Sequence, residues 1–241
     1  MTSTLPTSTP TVSSGESPGV RWWRRPWVIP LALVAFVFIG FSLPRYLTFD
    51  PAQSLVEAPD GMTSHYPMLV AHVFFGSIAM LTCCLQVWPW LRQRHPRVHR
   101  ISGRVYILGG VLPSGLMGLT IGAVSVFGPV IQVSNVMLAL LWLGTTAAGY
   151  VAARQRRFRD HRRWMVRSFA LTMSIVINRI LLVPLIIWLF PQQETTFGGS
   201  EFALMQAVSG LTGWMSWTIA LILAQLWLDR RPRRVARVSV G

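Results

Sequence analysis

Residues 95–106 read H-P-R-V-H-R-I-S-G-R-V-Y and lie between two long apolar runs. Arg97, Arg100 and Arg104 surround His99 there. A second basic block, residues 154–168, reads R-Q-R-R-F-R-D-H-R-R-W-M-V-R-S and is flanked in the same way. At a constant offset of 62 and without gaps, Arg92, Arg94, Arg97, His99 and Arg100 fall on Arg154, Arg156, Arg159, His161 and Arg162. Each block follows one apolar run and launches the next, so the chain reads as two similar helix-loop-helix units.

The composition places those units in a membrane. Hydrophobic residues make up 52% of the chain and charged residues only 12%, with a mean hydropathy of +0.46. A soluble domain carries about 25% charged residues, so this chain has half the usual share. The net charge of +14 would point to nucleic acid in a soluble protein. Here the arginines lie in short loops between apolar runs, so membrane topology accounts for them and no nucleic-acid partner is expected. All 22 cationic residues are Arg, which reads as base composition rather than mechanism. The two cysteines, Cys83 and Cys84, are adjacent in an apolar run and cannot form a disulfide framework.

Residues 1–20 are rich in Ser, Thr and Pro and are expected to form a disordered cytoplasmic tail. Arg21, Arg24 and Arg25 then interleave with Trp22, Trp23 and Trp27 as a basic, aromatic collar. A membrane domain over residues 21–241 follows. Its apolar runs predict spans at about 27–43, 67–90, 105–127, 130–153, 164–190 and 202–228, each matched to about 30 Å of hydrocarbon, the first slightly short. No small-residue cleavage site follows the first run, so it reads as an uncleaved span. The expected fold is an all-α, polytopic membrane helix bundle of six transmembrane helices. Twenty of the 22 arginines fall before span one, between two and three, between four and five including the head of span five, and after six. The alternate loops hold Arg45 and five of the eight acids. That asymmetry predicts cytoplasmic N- and C-termini. Gly110, Ser114, Gly118 and Gly122 recur every four residues in span three, which predicts close helix approach. Pro113 and Pro184 are expected to kink their helices.

Few polar groups lie inside the spans, and each admits two readings. His72 falls near the outer leaflet of span two, with His65 seven residues earlier and Cys83 and Gln86 continuing that face. It reads either as a ligand or proton carrier facing a cavity, or as a neutral imidazole bonded to a neighbouring helix. Arg179 falls near the middle of span five with no acid in any span to pair with it. A guanidinium there reads as an anion site, or as a group satisfied by carbonyls and by amides such as Asn178, Gln132, Asn135 or Gln206. His99 and His161 occupy equivalent places at the starts of spans three and five. Two His on different helices at one depth suit an axially bis-His haem b, and equally suit lipid headgroups at the cytoplasmic face. Arg100, Arg104, Arg162 and Arg167 around them would attract anionic lipid or pyridine-nucleotide phosphates, although topology alone already calls for basic loops.

The motifs H-R-I-S-G-R-V-Y (99–106) and D-H-R-R-W-M-V-R-S (160–168) resemble a bacterial family of predicted multi-pass membrane proteins known only as a domain of unknown function. The likeness includes His72 with Gly76 and Arg179, and covers about residues 65–190. It implies a polytopic membrane protein and no particular activity. More distantly, His near both membrane faces is similar to diheme b-type cytochromes and ferric-reductase-like proteins, although His72 has no intramembrane His partner at its depth. Three functions are carried forward for a protein of the bacterial cytoplasmic membrane: a haem- or quinone-binding electron-transfer protein, a small-molecule or anion transporter, and a structural or regulatory membrane subunit.

Overall fold

The computed structural model describes residues 27–230; the expected tail and the residues of the collar before Trp27 lie outside the described residues. All regular structure among the described residues is helical. A first helix, α1 (Val28–Ser42), continues through Leu43, whose backbone is helical, into the short α2 (Pro44–Leu47). Pro44 removes one amide donor and leaves the backbone path intact, so the first run approaches the length of a span. A polar loop with a 3-10 turn (Pro51–Gln53) leads to α3 (His65–Val87). Two shorter helices, α4 (Pro89–Arg94) and α5 (Pro96–Arg104), bring the chain to α6 (Leu112–Ala123). The remaining long helices are α7 (Pro129–Arg154), α8 (Phe158–Leu189) and α10 (Glu201–Asp229), with a short α9 (Gln193–Thr196) before the last.

Among the described residues, five helices are long and apolar enough to cross a membrane: His65–Val87, Pro96–Ala123, Pro129–Arg154, Phe158–Thr196 and Glu201–Asp229; Val28–Ser42 is a shorter apolar helix. The third predicted span therefore begins earlier than residue 105, because α5 runs directly into it. Between α5 and α6 the backbone widens into a π segment (Val105–Val111), closed by Leu112 N–H to Ile107 O. Pro113 follows two residues later. Its missing N–H and its ring disfavour a regular α turn here, which gives the wider turn a local cause. At Pro184, by contrast, α8 continues without a break in helical structure.

The small-residue stripe predicted in span three is used against two neighbours. A Cβ on Gly110 would lie 2.9 Å from the N, Cα and Cβ of Ala79, so α3 and the π segment meet backbone to backbone. Gly118 faces the ring of His72 on α3, whereas Gly115 and Gly122 face Leu143 and Asn135 on α7. Gly128 (φ 87°) makes the left-handed turn that Pro129 then converts into α7. α10 closes the bundle, where Gly210 and Gly213 admit Val130 and Ile131 of α7. Trp217 Nε1–H donates to Ser134 Oγ at 3.1 Å and Trp214 Nε1–H to Val130 O at 3.1 Å across the same contact.

The packing around Gly110 predicts that Gly110→Val destabilises the bundle by about 1–3 kcal/mol, because the Ala79 backbone cannot yield as a side chain would. Gly144 has open space around it. Gly144→Ala is expected to leave stability unchanged or slightly raised. Thermal unfolding of the two variants in detergent checks the contrast.

Candidate functional site

Tyr106 is 1% exposed, and its hydroxyl bonds both Ser168 Oγ (2.6 Å) and Thr172 Oγ1 (2.8 Å) of α8. Trp142 of α7 donates its indole N–H to the same Thr172 oxygen at 3.0 Å, and Thr146 Oγ1 pairs with Ser168 Oγ at 2.6 Å. Thr172 also donates to Ser168 O at 2.9 Å. One network therefore joins the π segment, α7 and α8 where the surrounding side chains are apolar. Buried hydroxyls and an indole N–H without partners would be costly, so this network fixes the rotation of α8. Tyr106 closes the first sequence motif and Ser168 closes the second. The two lie at the same offset of 62 that relates the motifs.

That tie brings the two basic blocks to one end of the bundle. Gln86, at the end of α3, donates its amide to His99 O (3.0 Å) and Ser102 Oγ (2.6 Å), holding α5 against α3. His161 Nδ1 lies 2.8 Å from Gly149 O near the end of α7. A carbonyl accepts only, so Nδ1 carries the proton and Nε2 is the acceptor. His99 and His161 are close enough to interact electrostatically, with Arg92 beside His99. The Nδ1 of His99 is buried without a hydrogen-bond partner. Arg100 and Arg104 are exposed around the pair. Arg162 lies over the Trp227 ring (5.2 Å), while Arg167 lies over Trp164 (5.0 Å) and bonds Gln225 Oε1 at 2.7 Å. These contacts tie the heads of α8 and the end of α10 together at the basic end.

The other sequence candidates occupy different surroundings. His72 is locked to α6: its Nδ1 lies 2.8 Å from Ser114 O, and Ser114 Oγ donates to His72 O at 2.9 Å. Gly118 leaves the space its ring fills. His65, seven residues earlier, is 2% exposed at the opposite end of α3 from Gln86. Cys83 and Cys84 both direct their thiols at Met80 O. Arg179 follows Thr172 by seven residues on the same face of α8, yet it is exposed. Beyond Thr172 one face of α8 is left open, with Ile180, Val183, Ile187 and Trp188 exposed, while Leu182, Leu185, Ile186 and Leu189 of the same stretch pack against Leu204 and Val208 of α10. Arg179 makes no hydrogen bond or ion pair with another described residue; Tyr46, buried on α2, is its electrostatic neighbour. Asn178 lies next to it and is partly buried, without a hydrogen-bonded role. Gln132, weighed as a partner for Arg179, instead donates to Ser125 O at 2.8 Å. Thus His99 and His161 lie within electrostatic range at the basic end, whereas His72 and Arg179 are not bonded to each other.

Sequence reasoning did not single out Tyr106, Trp142 or Thr146. The usable signal was the motif register itself, since Tyr106 and Ser168 are its matched ends.

A family described as Predicted membrane protein (DUF2306) matches residues 69–228, about two thirds of the chain, and the chain belongs to that family. No curated protein matches the chain, and no solved structure does.

The network yields a coupling prediction. Interhelical hydrogen bonds in membranes average about 0.6 kcal/mol and reach about 1.7. Tyr106→Phe removes two such bonds and is expected to cost about 1–2 kcal/mol. A double-mutant cycle with Ser168→Ala should then show clear non-additivity in unfolding free energy.

Proposed function

We propose that this family member is a membrane electron-transfer protein that holds a b-type haem between the imidazoles of His99 and His161. The observation that carries the reading is the buried Nδ1 of His99, which has no hydrogen-bond partner and belongs to a ring within electrostatic range of His161. Buried ring nitrogens are ordinarily hydrogen-bonded, so an orphan beside a second imidazole suits a group that ligates both. The Gly149 carbonyl supports the same reading, because it fixes His161 in the tautomer that leaves Nε2 free. Haem would supply one-electron chemistry at this end of the bundle. His99 and His161 would hold the group through neutral imidazoles, the exposed Arg100 and Arg104 would offer charge to its propionates, and Arg162 and Arg167 would brace the site through Trp227, Trp164 and Gln225.

On this reading the basic end faces the cytoplasm of a bacterial inner membrane, with both termini on that side, as the arginine asymmetry favours. The exposed arginines of α4 and α5 would then rest on anionic lipid headgroups.

The test is a reduced-minus-oxidised absorption spectrum of protein purified in detergent after expression with haem precursor. A b-type Soret and alpha band is expected. His99→Ala and His161→Ala should each abolish the bis-imidazole spectrum, and His72→Ala should retain it. Folded, monodisperse protein without these bands contradicts the proposal.

A further inference from the structure

At the end of the bundle opposite the basic blocks, the loop before α3 stands over the head of that helix. An open cleft of about 370 Å³ lies between them, lined by Pro51, Ser54, Val56, Glu57, His65 and Tyr66 among others. Three polar groups in its wall are uncommitted. The His65 side chain is 2% exposed and makes no hydrogen bond with any described residue. The Tyr66 hydroxyl is buried and has no partner. The Glu57 carboxylate is exposed and has no hydrogen bond or ion pair with another described residue. Neighbouring polar groups are already used. Ser54 Oγ donates to Val56 O at 2.8 Å and accepts from its N–H at 3.2 Å, while Asp50 accepts from Ala52 N (3.0 Å) and Gln53 Nε2 (3.3 Å).

Free buried polar groups are costly, and the Tyr66 hydroxyl carries that cost here beside an imidazole with no bond of its own. We propose that this cleft is a binding site for a small organic molecule, neutral or cationic, that bears a hydroxyl or amine. The charge balance excludes an anion. Asp50, Glu57 and Asp60 lie in the covering segment, and Arg45, stacked over Phe41 at 5.5 Å, is its cation. Pro51, Val56 and Ala58 give the wall an apolar half that a hydrated ion would not use. A hydroxyl on the ligand can accept from Tyr66 O–H and donate to His65, and an ammonium can pair with Glu57. The site is independent of the His99–His161 pair and stands or falls separately.

The test is saturation-transfer NMR on the full chain in detergent, with three probes: tyramine, hydroquinone and 4-hydroxyphenylacetate. Tyramine and hydroquinone are expected to bind, and the anion to bind at least tenfold more weakly than tyramine. Glu57→Gln should remove the preference for tyramine over hydroquinone. Tyr66→Phe should weaken both and also raise the melting temperature of the ligand-free protein, because it deletes an unsatisfied buried hydroxyl. Three results each overturn the proposal: no probe binding at millimolar concentration, equal binding of the anion, or binding unchanged in both variants.

Discussion

The buried hydroxyl of Tyr106 is the constraint on which the basic half of the bundle depends. It sits on the widened π turn and needs partners where water is excluded; Ser168 and Thr172 of α8 supply them. That choice sets the rotation and height of α8 against the π segment. His99 precedes Tyr106 by seven residues and His161 precedes Ser168 by seven, two helical turns in each case. Joining the two hydroxyls therefore places the two imidazoles at the same end of the bundle, within electrostatic range of each other. Trp142 and Thr146 bind α7 into the same arrangement.

The bundle divides along its length. Near the basic end, Gln86, His161, Arg167 and Trp227 cross-link the helix termini, and the helices stay together. Toward the other end α8 still packs on α10 through Leu185 and Leu189, whereas Arg179 lies on its open face with Ile180 and Val183. The face that buries Ser168 and Thr172 lower down thus becomes open two turns later. Tyr46, on α2, is the electrostatic neighbour of Arg179 there.

The helical class, the apolar runs and the close approach in span three were legible because each rests on periodicity and residue size. Gly110, Ser114, Gly118 and Gly122 do admit their neighbours as their spacing indicates. The start of the third membrane helix was not legible, because Arg97, Arg100 and Arg104 mask the continuity of α5 with the apolar run behind it. Of the polar candidates, the placing of His99 and His161 at one end of the bundle follows the 62-residue register. The bonds of His72 to Ser114 and of Gln86 to Ser102 do not, since they depend on which helix neighbours α3. Arg179 admitted two readings, an anion site or a group satisfied by carbonyls and amides; its place on the open face of α8 depends on where α10 packs, which no local pattern encodes. Tyr106 escaped notice because a lone tyrosine in an apolar run looks like an interfacial anchor until its partners are known.

The most direct test of this architecture is the distance between the two motif histidines. Nitroxide labels at His99→Cys and His161→Cys, in protein whose Cys83 and Cys84 are replaced by Ser, would report it by continuous-wave dipolar broadening. Strong broadening relative to the summed single-label spectra is expected, because the Tyr106–Ser168 tie holds the two positions side by side. A doubly labelled spectrum identical to that sum, from folded protein, would place the two basic blocks apart and contradict the account.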